Sequence, residues 1–228
     1  MEILFFVIGA VVLLNSVLTI FIIFKIVTVF EMYFKFNSNI KKSNIIESIG
    51  DMKKEIGTDY LDLVLLHNPA PNYINAWVNL QKNYAGLGVR YIGTSNFNSN
   101  HLDEIYNQTG INPYLNQIEL SLWNQPTQEL IDYHKKSNII IQAHSIYTNN
   151  TQISNSDYVQ YCVENDFNPY ELAFKFLSKQ SIFIVTGSTN PIHLKQNLNW
   201  TKNICNFNLD FDKLKLFNSD YKIYNKFI

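Results

Sequence analysis

The stretch Gly57-Thr58-Asp59-Tyr60-Leu61-Asp62-Leu63-Val64-Leu65-Leu66-His67-Asn68-Pro69 decides the reading of this chain. A Gly-Thr-Asp turn signal opens it, residues 61–66 form a short apolar run, and polar His67-Asn68 close it before a proline. A run of that length bounded by turn residues fits a strand buried on both faces, which is what a parallel sheet covered by helices requires. Upstream, Ile45, Ile49, Met52 and Ile56 recur at helical spacing.

The same texture continues downstream. A helical stretch at 76–84 leads to a strand at 89–94, and a short helix at 102–106 leads to a strand at 114–120. Residues 127–136, preceded by Pro126, are helical and lead to a strand at 139–143. Residues 169–178 are helical and lead to a strand at 183–186. Strand and helix alternate over about 25 to 40 residues per unit, which predicts a parallel sheet with helical crossovers, doubly wound or a barrel. No GxGxxG or GxxxxGK[ST] loop occurs, so a Rossmann or P-loop site is unsupported. In a barrel the site gathers at the C-terminal ends of the strands. Polar residues stand there in succession: His67-Asn68, Ser95-Asn96, Gln117 and Glu119, His144-Ser145, and Gly187-Ser188-Thr189.

The chain has 228 residues, enough to bury a substantial core. Eighteen Lys+Arg against nineteen Asp+Glu leave a net charge of -1, and Arg90 is the one arginine, so no nucleic-acid partner is expected. Cys162 and Cys205 form neither a disulfide framework nor a zinc knuckle by themselves and read as buried inert thiols, and no metal is expected. Trp77 and Trp123 read as packing residues. Asn107, Asn149 and Asn199 begin glycosylation-like triplets, which an Asn-rich chain produces by chance.

Residues 3–24 differ from the rest, since they carry no charge. Roughly 20 apolar residues span a ~30 Å hydrocarbon core, so the run passes the length test for a transmembrane helix. Lys25, Lys35, Lys41 and Lys42 follow it and would place the body in the cytoplasm, membrane-associated. The competing reading is a β-rich core stretch, because Ile, Val and Phe dominate, and it leaves a cytoplasmic protein. The chain divides accordingly into a hydrophobic segment, 1–36, and a body, 37–228.

The strand ends carry a resemblance. Gly57 to Pro69, Ala76-Trp-Val-Asn-Leu-Gln, Gly88-Val-Arg-Tyr-Ile-Gly-Thr-Ser-Asn-Phe, Asn116-Gln-Ile-Glu-Leu, Ile141-Gln-Ala-His-Ser and Gly187-Ser-Thr-Asn-Pro-Ile-His-Leu-Lys-Gln-Asn-Leu stand in order over residues 44–198. Together they resemble the aldo-keto reductase family. The resemblance implies part of a (β/α)8 TIM-type barrel, five strands from Leu61 onward and a sixth if 18–24 is a strand. It further implies reduction of an aldehyde or ketone by a nicotinamide cofactor, with a tyrosine as general acid tuned by a lysine and an aspartate, and a histidine orienting the carbonyl.

Residue by residue, His67 aligns with that histidine, and Lys25 is the candidate for the lysine that ends an early strand. Ser95, Asn96 and Gln117 align with residues that hold the nicotinamide carboxamide, and His144 with the aromatic that stacks on the ring. Ser145 falls in the loop along the cofactor, while Ser188, Gln196 and Asn197 align with positions around the adenosine phosphate and adenine. Gly187 and His193 stand where NADP-preferring members carry cations, which weakens NADP relative to NAD. Residues 1–24 contain neither Asp nor Tyr, so the family's proton donor is missing from its place and the chain reads as a truncated or divergent member. Two functions are therefore expected in competition: a reductase with impaired catalysis, and an inactive pseudo-reductase serving as a binding or scaffold protein. A five- or six-strand barrel also leaves edges and an apolar interior that a membrane, a partner chain or an upstream segment would cover.

Overall fold

A computed structural model describes residues 26–29, 42–147, 150–180, 182–186, 188, 190–201 and 209–217. Its strands are β1 (Ile26–Val29), β2 (Leu61–Leu66), β3 (Val89–Ser95), β4 (Leu115–Glu119), β5 (Ile140–His144) and β6 (Phe183–Ile184). They pair in parallel, each with the next in the chain, in one sheet of order β1 to β6. The helices between them are α1 (Lys42–Ile56), α2 (Tyr73–Asn83), α3 (Ser99–Thr109), α4 (Gln128–Lys136), α5 (Asn150–Ile153), α6 (Ser156–Glu164) and α7 (Pro169–Ser178). After β6 come α8 (Pro191–Thr201) and α9 (Phe211–Leu214). The five strands expected from Leu61 onward are all present and parallel, as a barrel of consecutive strand–helix units requires.

β2 is buried along its whole length, and its side chains divide between two faces. Leu63 and Leu65 pack with Leu115 and the partly buried Ile140. Val64 and Leu66 join Ile92 and the apolar stripes of α1 (Ile45, Ile49), α2 (Ala76, Trp77, Leu80) and α3 (Leu102, Ile105). A second helix-side cluster unites Ile118 and Ala143 with Tyr158 and Cys162 of α6, Leu172, Phe176 and Leu177 of α7, and Leu214 of α9. The apolar content of the sequence is thus spent on both faces of a parallel sheet.

Asparagine builds many of the junctions. Asn98, Asn155 and Asn168 cap α3, α6 and α7, each accepting a backbone N–H of the first turn, and Thr127 does the same for α4. The entry to β2 is set by Gly88, whose φ of 71° suits a residue without Cβ and whose carbonyl accepts from Leu61 N at 2.9 Å.

Three stretches extend the sequence reading. A sixth strand is described at Ile26–Val29; the stretch 18–24, expected as the sixth, lies outside the described residues. The run without charges drew attention to its own end at Lys25, whereas the β-branched Ile-Val-Thr-Val that pairs with β2 begins one residue later. At the C-terminal end α9 passes into a 3-10 turn at Lys215–Phe217, and 218–228 lie outside the described residues. Finally, α5, α6 and α8 occupy stretches from which no helix was expected; α8 buries only Asn197 and so carries no apolar stripe to betray it. Among the described residues no helix is long and apolar enough to cross a membrane, and residues 3–24 are not among them.

Candidate active site

Register brings the predicted residues together. Leu66 is level with Thr94, Ser95 with Gln117, Gln117 with Gln142, and Glu119 with His144. His67, Ser95, Asn96, Gln117, His144 and Ser145 therefore emerge at one end of the sheet, the C-terminal end of β2 to β5. At two of these exits the chain turns through left-handed backbone, at Asn96 (φ 63°) and Ser145 (φ 56°). Asparagine tolerates that region better than most residues, serine less well. The Asn96 turn is pinned by its own N–H, which donates to Gln117 O at 2.8 Å.

Asn96 is the hub. Its Nδ2 lies 3.1 Å from His67 O, 3.0 Å from Asn68 Oδ1 and 3.2 Å from Ser95 Oγ. Its Oδ1 lies 3.0 Å from His144 Nε2, and His144 Nδ1 lies 2.9 Å from Ser145 Oγ. On the other side Asn68 Nδ2 lies 3.0 Å from His67 Nδ1. Deeper in the sheet Gln117 Nε2 donates to Gln142 Oε1 at 2.7 Å. Burial depresses the pKa of His67, and burial together with the charge of His67 drives that of His144 down to about 4. Both imidazoles are thus neutral near pH 7.

One residue earlier on each strand, a second polar layer faces the helices. Thr94 Oγ1 donates to Asn116 Oδ1 at 3.0 Å, and Asn116 Nδ2 reaches Phe97 O at 2.8 Å and His134 Nε2 at 3.2 Å. His134 Nδ1 lies 2.9 Å from Leu130 O, which can only accept, so His134 is protonated on Nδ1 and receives Asn116 on Nε2. This closed network fixes the strand ends from behind and offers nothing to a ligand.

The other predicted residues separate into two groups. Ser188, half-buried, accepts from Asn190 N at 3.0 Å and lies 3.4 Å from His193 Nδ1; Gln196 and His193 are exposed. Asn197 is buried and accepts from Tyr147 OH at 3.0 Å, with its Nδ2 3.4 Å from Thr186 Oγ1, so it ties α8 to the exit of β6. Lys25 and Gly187 lie outside the described residues. The strand that follows Lys25 begins at Ile26, level with Leu63, and its other end, Val29, is the one level with Leu66 beside His67. Sequence reasoning missed Gln142, the partner of Gln117, and the part played by Asn68; the one signal available for Asn68 was its place directly after a strand-end histidine.

Tyr73, Tyr114, Tyr133, Tyr147, Tyr158 and Tyr161 all have hydroxyls pushed upward, burial being the first cause in each. Each of these six is thus moved away from the neutral range that acid catalysis favours.

Parallel strands joined by helical crossovers, with histidine, hydroxyl and amide groups converging at the strands' C-terminal ends, define an α/β fold of the (β/α) barrel kind. The model of the Aldo/keto reductase family matches residues 18–219, and the chain belongs to that family. It is 34% identical over 155 residues to D/L-glyceraldehyde reductase of Hypocrea jecorina (57% of this chain, 46% of the relative). It is 28% identical over 169 residues to glyoxal reductase of Bacillus subtilis (72% and 59%). The chain spans about half the length of several curated relatives it matches. An aldo-keto reductase from a Medee basin deep-sea metagenome library superposes with a TM-score of 0.74 at 25% identity, covering 88% of this chain and 73% of that one. A Gox0644 mutant solved in complex with NADPH superposes at 0.73 and 24% identity, over 87% and 71%.

Proposed function

We propose that the chain is a nicotinamide-dependent reductase of small carbonyl compounds whose acid catalysis is weakened. The observation that carries this reading is the hydrogen-bonded convergence of His67, Ser95, Asn96 and His144, with Gln117 beside them, at one end of the sheet. The chemistry of the donor set fits the cofactor. A nicotinamide carboxamide presents one acceptor and two donors; the Ser95 hydroxyl would donate to it and Gln117 Oε1 accept from it, while Asn96, its amide committed to His67, Asn68 and His144, would hold these groups in place. The bound cofactor supplies a hydride. Exposed Gln196, with Ser188, would meet its adenosine end, while Asn197 supports α8 from beneath. Gly187 and His193 bring no cation to a 2′-phosphate, so NADH and NADPH are expected to bind comparably. The relatives' names, glyceraldehyde and glyoxal reductase, indicate small aldehydes as the substrate class.

His67 is neutral and would donate a hydrogen bond to the carbonyl oxygen as that oxygen gains negative charge. Proton delivery is the weak step. General acid catalysis contributes about 10²–10⁴-fold, and Tyr73, Tyr114, Tyr133, Tyr147, Tyr158 and Tyr161 are shifted away from the acidity it needs. The decisive assay is NADPH and NADH oxidation with aromatic and aliphatic aldehydes, compared with His67→Ala. Slow turnover abolished by the substitution supports the reductase. Cofactor binding without any His67-dependent turnover supports the second reading, a pseudo-reductase that keeps a nucleotide surface, which the upward shift of those six hydroxyls favours. Carbonate extraction of the full chain separates the two uses of residues 3–24, since recovery in the soluble fraction removes the membrane one.

A further inference from the structure

The network around Asn96 contains a group whose role is unambiguous: the backbone carbonyl of His67 only accepts. Side-chain amide and imidazole roles can be worked outward from it. Nδ2 of Asn96 faces that carbonyl at 3.1 Å, which places the amide's nitrogen on the His67 side and its oxygen towards His144. Turning the amide over would set oxygen against oxygen. Asn96 Oδ1 therefore accepts, and His144 Nε2, 3.0 Å away, carries the proton. His144 Nδ1 is then the acceptor for the Ser145 hydroxyl at 2.9 Å.

On the other arm, Asn96 Nδ2 also faces Asn68 at 3.0 Å, so the Asn68 atom there is its oxygen. The Asn68 nitrogen is left facing His67 Nδ1 at 3.0 Å. A proton on Nδ1 would point at an NH₂ group, so Nδ1 must accept and the ring proton must sit on Nε2. We infer that Asn68, anchored through Asn96 to the His67 carbonyl, is a positioning residue that holds His67 in one neutral tautomer, with its proton on Nε2. The use of that tautomer, donation to a carbonyl oxygen, rests on the reductase reading; the tautomer itself does not. Asn68 sits next to His67 in the chain, yet only the left-handed turn at Asn96, 28 residues away, gives its amide a direction.

The test reads the ring directly. The full chain is labelled with 15N-histidine, and two-bond proton–nitrogen correlations at neutral pH report which nitrogen of each ring is protonated. His67 is identified by the signal lost in His67→Gln. The expected wild-type pattern is protonated Nε2 and bare Nδ1. In Asn68→Asp, where a carboxylate of the same size can only accept, the proton should move to Nδ1. In Asn68→Ala, and independently in Asn96→Ala, the two tautomers should average. A wild-type proton on Nδ1, an averaged wild-type pattern, or an Asn68→Asp pattern unchanged from wild type overturns the assignment. Should Asn68→Asp fail to fold, the wild-type and Asn96→Ala spectra still decide. Absent turnover with the expected tautomer in place counts against the reductase reading and leaves this one standing, so the two failures are distinguishable.

Discussion

At Asn96 a left-handed backbone angle and bonds to His67, Asn68, Ser95 and His144 meet in one residue. Alanine there keeps the unfavourable φ and loses the bonds, so Asn96→Ala is expected to cost about 2–3 kcal/mol. Urea unfolding followed by far-UV circular dichroism measures it. His144 contributes in another way. Its pKa falls from 6.5 unfolded to about 4 folded, so between those values the unfolded chain binds a proton that the folded one refuses. Stability is therefore complete above pH 6.5 and declines as pH falls towards 4, by about 3 kcal/mol from this residue. His67, His101 and His134 are shifted in the same direction and add to the slope. Urea midpoints at pH 7.5, 6 and 5 should fall in that order, and more gently in His144→Phe; an equal slope in the variant would remove His144 as a source.

Two elements depend on a single position. Gly93 lies in the middle of β3, where an added Cβ would meet Leu115 O at 2.5 Å and Leu65 Cδ2 at 2.6 Å. The leucine side chain can give way, but the carbonyl belongs to the backbone leading β4. Gly93→Ala is expected to force β3 and β4 apart, at about 2–3 kcal/mol, and to shift the thermal midpoint down by several degrees. At α3 the Asn98 side chain accepts from His101 N at 3.0 Å, and the His101 ring returns towards Asn98 N. Asn98→Ala should cost about 1 kcal/mol. The abundance of asparagine in the sequence thus has structural uses, as caps at Asn98, Asn155 and Asn168 and as left-handed turns at Asn96 and Asn138.

Over the whole molecule, one sheet places the histidine and amide groups at one end, and α8 carries the exposed groups that would meet the far end of a dinucleotide. Titration with NADPH and with NADH, following tryptophan emission, is expected to give quenching of similar midpoint for the two. Absence of quenching by either at millimolar concentration would count against a working site, and a strong preference for NADPH would show that another cation serves the 2′-phosphate.

The β2 run, the order of the four strands after it and the residues at their ends were legible in the sequence, because each is a local pattern. An apolar run bounded by turn residues leaves a strand few alternatives, and in a parallel sheet consecutive strand ends must fall on one side. Strand β1 was harder to see because four residues carry little pattern, and α8 because it buries only Asn197. The site's internal wiring was not legible at all. Which nitrogen of His67 is protonated depends on a carbonyl, two amides and a turn brought together from β2 and β3. Gln117 was marked by its motif, but that it spends its amide on Gln142 follows only from the register of β4 against β5. Hydrogen bonds between strands form across tens of residues, and only the tertiary structure decides which polar groups are left to face a ligand.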